Sequence, residues 1–542
     1  MNYIIWINYA KLVNNPINGG DKVKKTFFIV LIALILMIGI SIEKDNIVKT
    51  TNTSSSSYIT YGMKTDKSDL KLTKEASVRD KDLLLAFFDG LIKKDEEGKI
   101  VPSMAKEYSV SEDGLEYTFV LKDDLTYSNG DSITSTDFKE FFKEFLSDKD
   151  NIYRDDLSCI FGVQGYIKNE VDFSQVAINC PDDKTLVIRL NYPCYKLLSI
   201  LSSPVFFLRD YNDLNDYKLN YEKIRFSGPF VIKNCDEKSL IISKNTKYYD
   251  YVNITDEIIR IVFFNSIEEP LALFESSVDN KNLGNNVDIL LDVPSSEVSR
   301  LYDEKKLVYY DCNDKYFLSF NMNKEDINFR KAIISSLKDN KYIESTSDLA
   351  ISSVGFYDNS TEVQQVFLNN TSLDEGKKYF ENWTGNELNL AYEKDPLNRQ
   401  IATGIEDEIK KAFDIKVNLI ECTNEEIKDE INKEKYHMIL EKFQGKYGYV
   451  GEYLYSIANP LSYNKFSYNN SEYKKLLSDI NISIDAEVRN ITLNQCEDII
   501  ESEYVVIPIC ALKTPICINS SITGVKVTKA GNIMLNNIKR SK

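Results

Sequence analysis

Tyr117, Phe119 and Leu121 alternate with Thr118, Val120 and Lys122, a period of two that predicts a strand with one buried face. Asp113-Gly114 before this run and Asn129-Gly130 after it supply residues that accept positive φ, so hairpin turns are expected on both sides. The period then changes. Phe138, Phe141, Phe142, Phe145 and Leu146 recur at i, i+3, i+4, i+7 and i+8, one apolar face of a helix. Thr134 and Asp137 stand where a capping box would start that helix, with Asp in place of the usual Glu. Taken alone, the pattern describes an α+β subdomain.

Other patterned runs fill most of the chain. Tyr58–Met63 reads as a first strand, Asp183–Leu190 as an alternating strand, and Ile258–Phe264 and Val287–Leu291 as further strands. Glu387–Tyr392 and Ile415–Ile420 flank a helix around Gln400–Ala412, a βαβ pattern with parallel strands. Tyr436–Glu441 and Val505–Cys510 are strands, and Glu472–Ile482 and Ala486–Glu501 are helices. The fold class is therefore α/β.

Size and composition narrow the picture. At 542 residues the chain exceeds the single-domain range, so two or three domains are expected. Hydrophobic residues at 43% and charged residues at 27% describe a globular protein. A net charge of −17 argues against a nucleic-acid partner, which needs a basic face.

One segment departs from that composition. Thr26–Ile42 carries no charge, follows Lys22, Lys24 and Lys25, and precedes Glu43 and Asp45. It reads as a signal peptide or an uncleaved signal anchor, and the lysines orient the rest of the chain outside the cytoplasm. Residues 1–25 are then a cytoplasmic extension or a start assigned too far upstream. Residues 43–57, with their Ser run, form a polar tether.

Candidate chemistry is sparse. The nine cysteines have no metal-ligand spacing, and the single histidine, His437, lies far from any cysteine pair. An odd, scattered set reads as small hydrophobes, so no disulfide and no metal are expected. No P-loop, Gly-x-Ser-x-Gly or His-x-x-x-His occurs, so no enzymatic activity and no cofactor are expected. Acidic pairs such as Glu268-Glu269 read as solvated faces.

The order of the smaller motifs is more specific than any one of them. Asp89-Gly90-Leu91, Pro102, Ala105, Gly114, Phe119, Leu121, Gly130 and Asp137 follow one another within some fifty residues. That succession resembles the signature of the extracellular solute-binding proteins of family 5, the oligopeptide- and dipeptide-binding components of ABC importers. Phe226-Ser-Gly-Pro-Phe230, Asn245-Thr-Lys-Tyr-Tyr-Asp250, Ser319-Phe-Asn321 with Ile327–Ile333, and the strand ending at Cys510 extend the likeness from about Tyr58 to the C-terminus. Two features depart from it. Ser68-Asp-Leu-Lys71 lacks the family's Leu-Asp-Pro turn, and Leu36–Ser41 lacks the lipobox cysteine of Gram-positive relatives.

The resemblance implies a periplasmic-binding-protein-like fold (class II, cluster C type) with three lobes hinged around a ligand cleft. Lobe I comprises 58–86, 193–290 and 505–542, lobe II 87–192, and lobe III 291–504. It implies a monomeric, extracytoplasmic binding protein that captures a peptide or similar small polar ligand. It would deliver that ligand to ABC permease subunits from the outer face of the cytoplasmic membrane, held there by its N-terminal segment. A second reading is a degenerate, membrane-tethered relative acting as a sensory or interaction protein.

In the family, an Asp three residues after a Trp holds the peptide's α-ammonium. Here Phe443 stands at the Trp and Lys446 at the Asp. Two like charges about 4 Å apart at an effective dielectric near 20 cost about 4 kcal/mol. Lys446 would therefore repel a free peptide N-terminus, and ligands with a blocked N-terminus, a carboxylate or a neutral polar end should bind better. Tyr447 and Tyr449 are placed to stack on a ligand, and Arg79 completes the set of candidate ligand-binding residues.

Overall fold

The computed structural model describes residues 58–64, 69–75, 77–279, 286–337, 341–346, 349–352, 371–429, 434–449, 451–458 and 468–541. The leader, anchor and tether expected before residue 58, and Ser68 of the missing turn, lie outside them. Among the described residues no helix is long and apolar enough to cross a membrane.

The period-two run forms the strand Glu116–Leu121, with Tyr117, Phe119 and Leu121 buried. It pairs antiparallel with Ala105–Val110 across the Gly114 turn, where φ is +67°, and with Thr185–Arg189 on its other side. Ile178–Asp182 completes a four-stranded sheet. The helix Ser135–Ser147 buries Phe138, Phe141, Phe142, Phe145 and Leu146. Its capping box forms with the shorter acid: Asp137 Oδ2 accepts both the N–H and the hydroxyl of Thr134 at 2.8 Å.

The second sheet has eleven strands. Its order is Lys416–Cys422, Glu387–Glu393, Met438–Phe443, Leu307–Phe320, Val506–Ile518, Ile289–Leu290, Ile59–Lys64, Ile259–Phe264, Ser239–Lys244 and Phe230–Cys235, with Ala350–Ser352 added on Val506–Ile518. The expected βαβ unit is present: Glu387–Glu393 and Lys416–Cys422 are parallel around the helix Pro396–Phe413. Asp395 caps that helix by accepting from the Leu397 and Asn398 N–H groups, and Pro396 fills a first-turn position that needs no donor.

One strand, Val506–Ile518, exceeds its expected length, and its partner Leu307–Phe320 was not expected. Leu307–Phe320 and Val506–Ile518 run antiparallel through the middle of the sheet, from the Ile289–Leu290 side to the Met438–Phe443 side. The polar run Asp311-Cys-Asn-Asp314 hides the first of them from a hydrophobic-pattern reading. The structure absorbs that run as a bulge: Asp311 faces Lys513 but Lys315 already faces Ala511, so the ladder steps by four residues on one strand and two on the other. Apolar side chains form one core beneath the four-stranded sheet and the first strand, and others beneath the two faces of the long ribbon.

The family-like motifs are structural ties. Asp89 is 1% exposed and accepts from Gly90 N–H, the Ser103 hydroxyl and the hydroxyls of Tyr248 and Tyr249, at 2.5–3.0 Å. Gly228 leaves no room for a side chain, because a Cβ there would lie 2.4 Å from Phe88 N.

Candidate functional site

The strand Met438–Phe443 ends against the core, and the chain then turns through Gln444–Tyr449 before the helix Glu452–Ala458. Phe443 belongs to the core side of that junction. It is 8% exposed and meets Phe317 and Tyr453 edge-on at ring-centre distances of 6.4 and 4.9 Å.

Lys446, Tyr447 and Tyr449 face the opposite way. Lys446 Nζ lies 2.5 Å from Asp156 Oδ2, 4.7 Å from the Tyr153 ring centre and 5.1 Å from the Tyr447 ring centre. The Tyr447 hydroxyl donates to the same Asp156 oxygen at 2.5 Å. Tyr153 and Asp156 flank and lie in the short turn Arg154–Leu157, which follows the helix beside the four-stranded sheet. The group thus joins residues 290 positions apart, one in the Arg154–Leu157 turn and one in the loop after Met438–Phe443. Tyr449 meets Tyr195 and Tyr455 edge-on, with the Lys196 ammonium 5.0 Å from the Tyr455 ring centre.

The backbone under these side chains is fixed by one carboxylate. Glu452 accepts the N–H groups of Lys446 at 3.0 Å, Tyr447 at 3.0 Å and Gly448 at 2.7 Å. From the other side Lys94 donates to the carbonyls of Tyr447 and Gly448 at 2.6 and 2.8 Å. Gly451 holds φ at +84°, and a Cβ there would lie 2.5 Å from Leu493 Cδ2. Only glycine fits.

Burial sets the protonation of this region. It pushes the Tyr447 phenol well above its usual range, and Asp156 adds to the effect, so Tyr447 remains a donor at any physiological pH. Burial raises Glu452 while the three backbone N–H groups pull it back down, and burial lowers Lys94 and Lys81.

Arg79 does not join this group. It is 7% exposed in a separate network, donating to Asp82 Oδ2 at 2.7 Å, the Tyr61 hydroxyl at 2.9 Å and the Gly531 carbonyl at 2.5 Å. His437 is also internal to the fold: its Nδ1 accepts from Asn389 N–H at 2.9 Å, and burial lowers its pKa to about 4. Among the described residues, no group of three or more His, Cys, Asp or Glu is placed to hold a metal ion.

Sequence reasoning pointed to this loop and named none of the partners that the structure brings to Lys446. Asp156, Tyr153, Lys94 and Glu452 carry no motif, and only the folded chain brings them to Lys446. That partnership changes the premise about Lys446: it is an ion-paired lysine with a carboxylate in contact.

Comparison with known proteins agrees with the fold. Residues 99–465 match the family model of the bacterial extracellular solute-binding proteins, family 5 (middle region). The chain is 23% identical to the dipeptide-binding protein DppE of Bacillus subtilis over 78% of its own length and 80% of the relative's. It is 22% identical to the oligopeptide-binding protein OppA of the same organism over 83% and 86%. Among solved structures, the unliganded open form of the periplasmic murein tripeptide-binding protein MppA superposes with a TM-score of 0.75 at 18% identity, covering 90% of this chain and 98% of that one. Haemophilus influenzae OppA in complex with the peptide RPPGFSPFR gives 0.67 at 17% identity, covering 90% and 99%. The chain belongs to the bacterial extracellular solute-binding proteins of family 5.

Proposed function

We propose that this protein is the extracytoplasmic substrate-binding component of an ABC importer and that it captures peptides in a cleft walled by the loop Gln444–Tyr449 and the Tyr153–Asp156 turn. The observation that carries the reading is the family match from residue 99 to residue 465, together with curated relatives that are dipeptide- and oligopeptide-binding proteins. An extended peptide would add main-chain hydrogen bonds to strand edges, which gives affinity with little demand on sequence. The lobe division at residues 87, 193, 291 and 505 belongs to the same proposal. So do a monomeric state, delivery to permease subunits, and tethering through Thr26–Ile42 with the bulk of the chain facing outward.

Thermal unfolding of the purified protein against pools of short peptides tests the reading. A bound peptide at a hundred times its Kd adds about 2.7 kcal/mol of stability. Stabilisation by a sugar library and by no peptide pool would replace the ligand class. Protease added to intact protoplasts should remove the protein, and full protection would refute the outward orientation. The protein should turn over no substrate; chelator-sensitive hydrolysis lost on mutating particular carboxylates would make it an enzyme.

A further inference from the structure

Lys446 reveals what Asp156 and its neighbours are shaped to hold. A carboxylate 2.5 Å from a primary ammonium, with one aromatic ring centre at 4.7 Å and another at 5.1 Å, combines a charge-assisted hydrogen bond with two cation–π contacts. Nothing in that arrangement is particular to a lysine side chain. Any R–NH3+ group reaching the same point would make the same contacts.

Two further observations make the occupant exchangeable. The Lys446 side chain is 37% exposed and that of Asp156 27%, and ion pairs this wet are weak. The loop backbone is held independently of the pair, by Glu452 on one side and Lys94 on the other. The lysine stem can therefore rotate into water while the loop and its Tyr447 hydroxyl stay in place. The exchange conserves charge: one ammonium leaves Asp156, another arrives, and no proton moves.

We infer that Asp156, with Tyr153 and Tyr447, is a primary-ammonium site of the cleft, and that the free N-terminus of a ligand binds there by displacing Lys446. This rests on the peptide-binding reading. Lys446 then acts as a built-in competitor. It lowers the affinity of free-amine peptides by occupying their site, and leaves N-blocked peptides untouched. Competition differs from simple repulsion in one respect. If Lys446 only repelled an incoming ammonium, removing it would help whether or not Asp156 were charged; if it competes, removing it helps only while Asp156 remains to receive the ligand.

Calorimetry with pentaalanine and N-acetyl-pentaalanine separates these. The proteins are the wild type, Lys446→Met, Lys446→Arg, Asp156→Asn and the Lys446→Met/Asp156→Asn double variant, each checked for an unchanged unfolding transition. Lys446→Met should tighten pentaalanine about tenfold, the factor expected if the competitor fills the site nine-tenths of the time. The acetylated peptide should stay within about twofold, the margin within which its binding ignores the Lys446 ammonium. Lys446→Arg, which keeps a cation opposite Asp156, should keep most of the discrimination, and the double variant should lose the gain. A gain equal for both peptides, no gain, or a gain that survives Asp156→Asn overturns the site while the peptide reading stands. Heat from neither peptide in any of the five proteins overturns the peptide reading and the exchange with it.

Discussion

Two trios of like chemistry among the described residues sit in contrasting surroundings. Arg79, Asp82 and Tyr61 form one copy; Lys446, Asp156 and Tyr447 form the other. Each has a cation on a carboxylate oxygen and a tyrosine hydroxyl donating to that same oxygen. Their surroundings differ. The Arg79 and Asp82 side chains are 9% and 1% exposed, and Asp82 also accepts from Asn532 and from Ile533 N–H at 3.0 Å. Arg79 adds the Gly531 carbonyl and lies 3.6 Å from Asp292. That copy ties the helix Val78–Phe87 to the strand Ile59–Lys64 and to the C-terminal segment. The Lys446 copy is open to water and its cation has a rotatable point charge in place of a planar fork. Burial, the number of partners and the shape of the cation separate a tie from a contact that can be exchanged.

The comparison is broken most directly by Arg79→Met. Removing one partner of a buried pair leaves Asp82 charged and unmatched, so the expected loss is about 3–5 kcal/mol, read as a lower urea midpoint at unchanged slope. A loss below about 1 kcal/mol would place Arg79 with Lys446 rather than opposite it.

A buried carboxylate supplies the next test. Glu497 is fully buried, neither of its oxygens has a hydrogen-bond partner among the described residues, and burial, aided by Glu501 and Asp498 and opposed by Lys315, pushes its pKa up to about 8. Its unfolded value lies near 4.5, so between those pH values the folded state binds the extra proton, and stability falls as pH rises through that window. Glu497→Gln should flatten the slope and add roughly 2–4 kcal/mol at pH 8.5, with little effect at pH 4.5. A variant no more stable than the wild type at pH 8.5 would mean that Glu497 has a partner after all.

Smaller effects sharpen the contrast. Tyr61→Phe removes one donor from Asp82 and should cost about 1–2 kcal/mol. Lys446→Met should cost at most about 1 kcal/mol, and added salt should shrink that difference while leaving the Arg79 penalty nearly unchanged. If salt erased both penalties alike, the two trios would be energetically one kind of thing.

Most of the fold was legible from local pattern. The alternation around Phe119, the Phe138–Leu146 face and the βαβ unit each carry their own periodicity, and burial of one face follows from it. The motif order was legible for a different reason: Asp89 accepts from the hydroxyls of Tyr248 and Tyr249, and Gly228 packs against the Phe87 and Phe88 backbone, so these positions are tied across long sequence separations. The long strand Leu307–Phe320 escaped because its bulge carries Asp311, Asn313 and Asp314, which read as a loop. The site was half legible. Lys446, Tyr447 and Tyr449 could be placed by analogy with a loop position, but an ion pair spanning 290 residues leaves no trace in either local sequence. Arg79 sits among Tyr61, Asp82 and Gly531, and only three-dimensional proximity distinguishes it from a cleft-lining cation.

The carboxylate of Glu452 bears on how such a protein can diversify. It grips the loop by main-chain atoms alone, so this hold on the loop does not depend on which side chain stands at 446. The residue at 446 can change under selection while its point of attachment stays constant. A lineage could replace Lys446 with an acid, an amide or a small residue in a single step and meet a new ligand at an unchanged address. The scaffold separates where a contact is made from what the contact recognises.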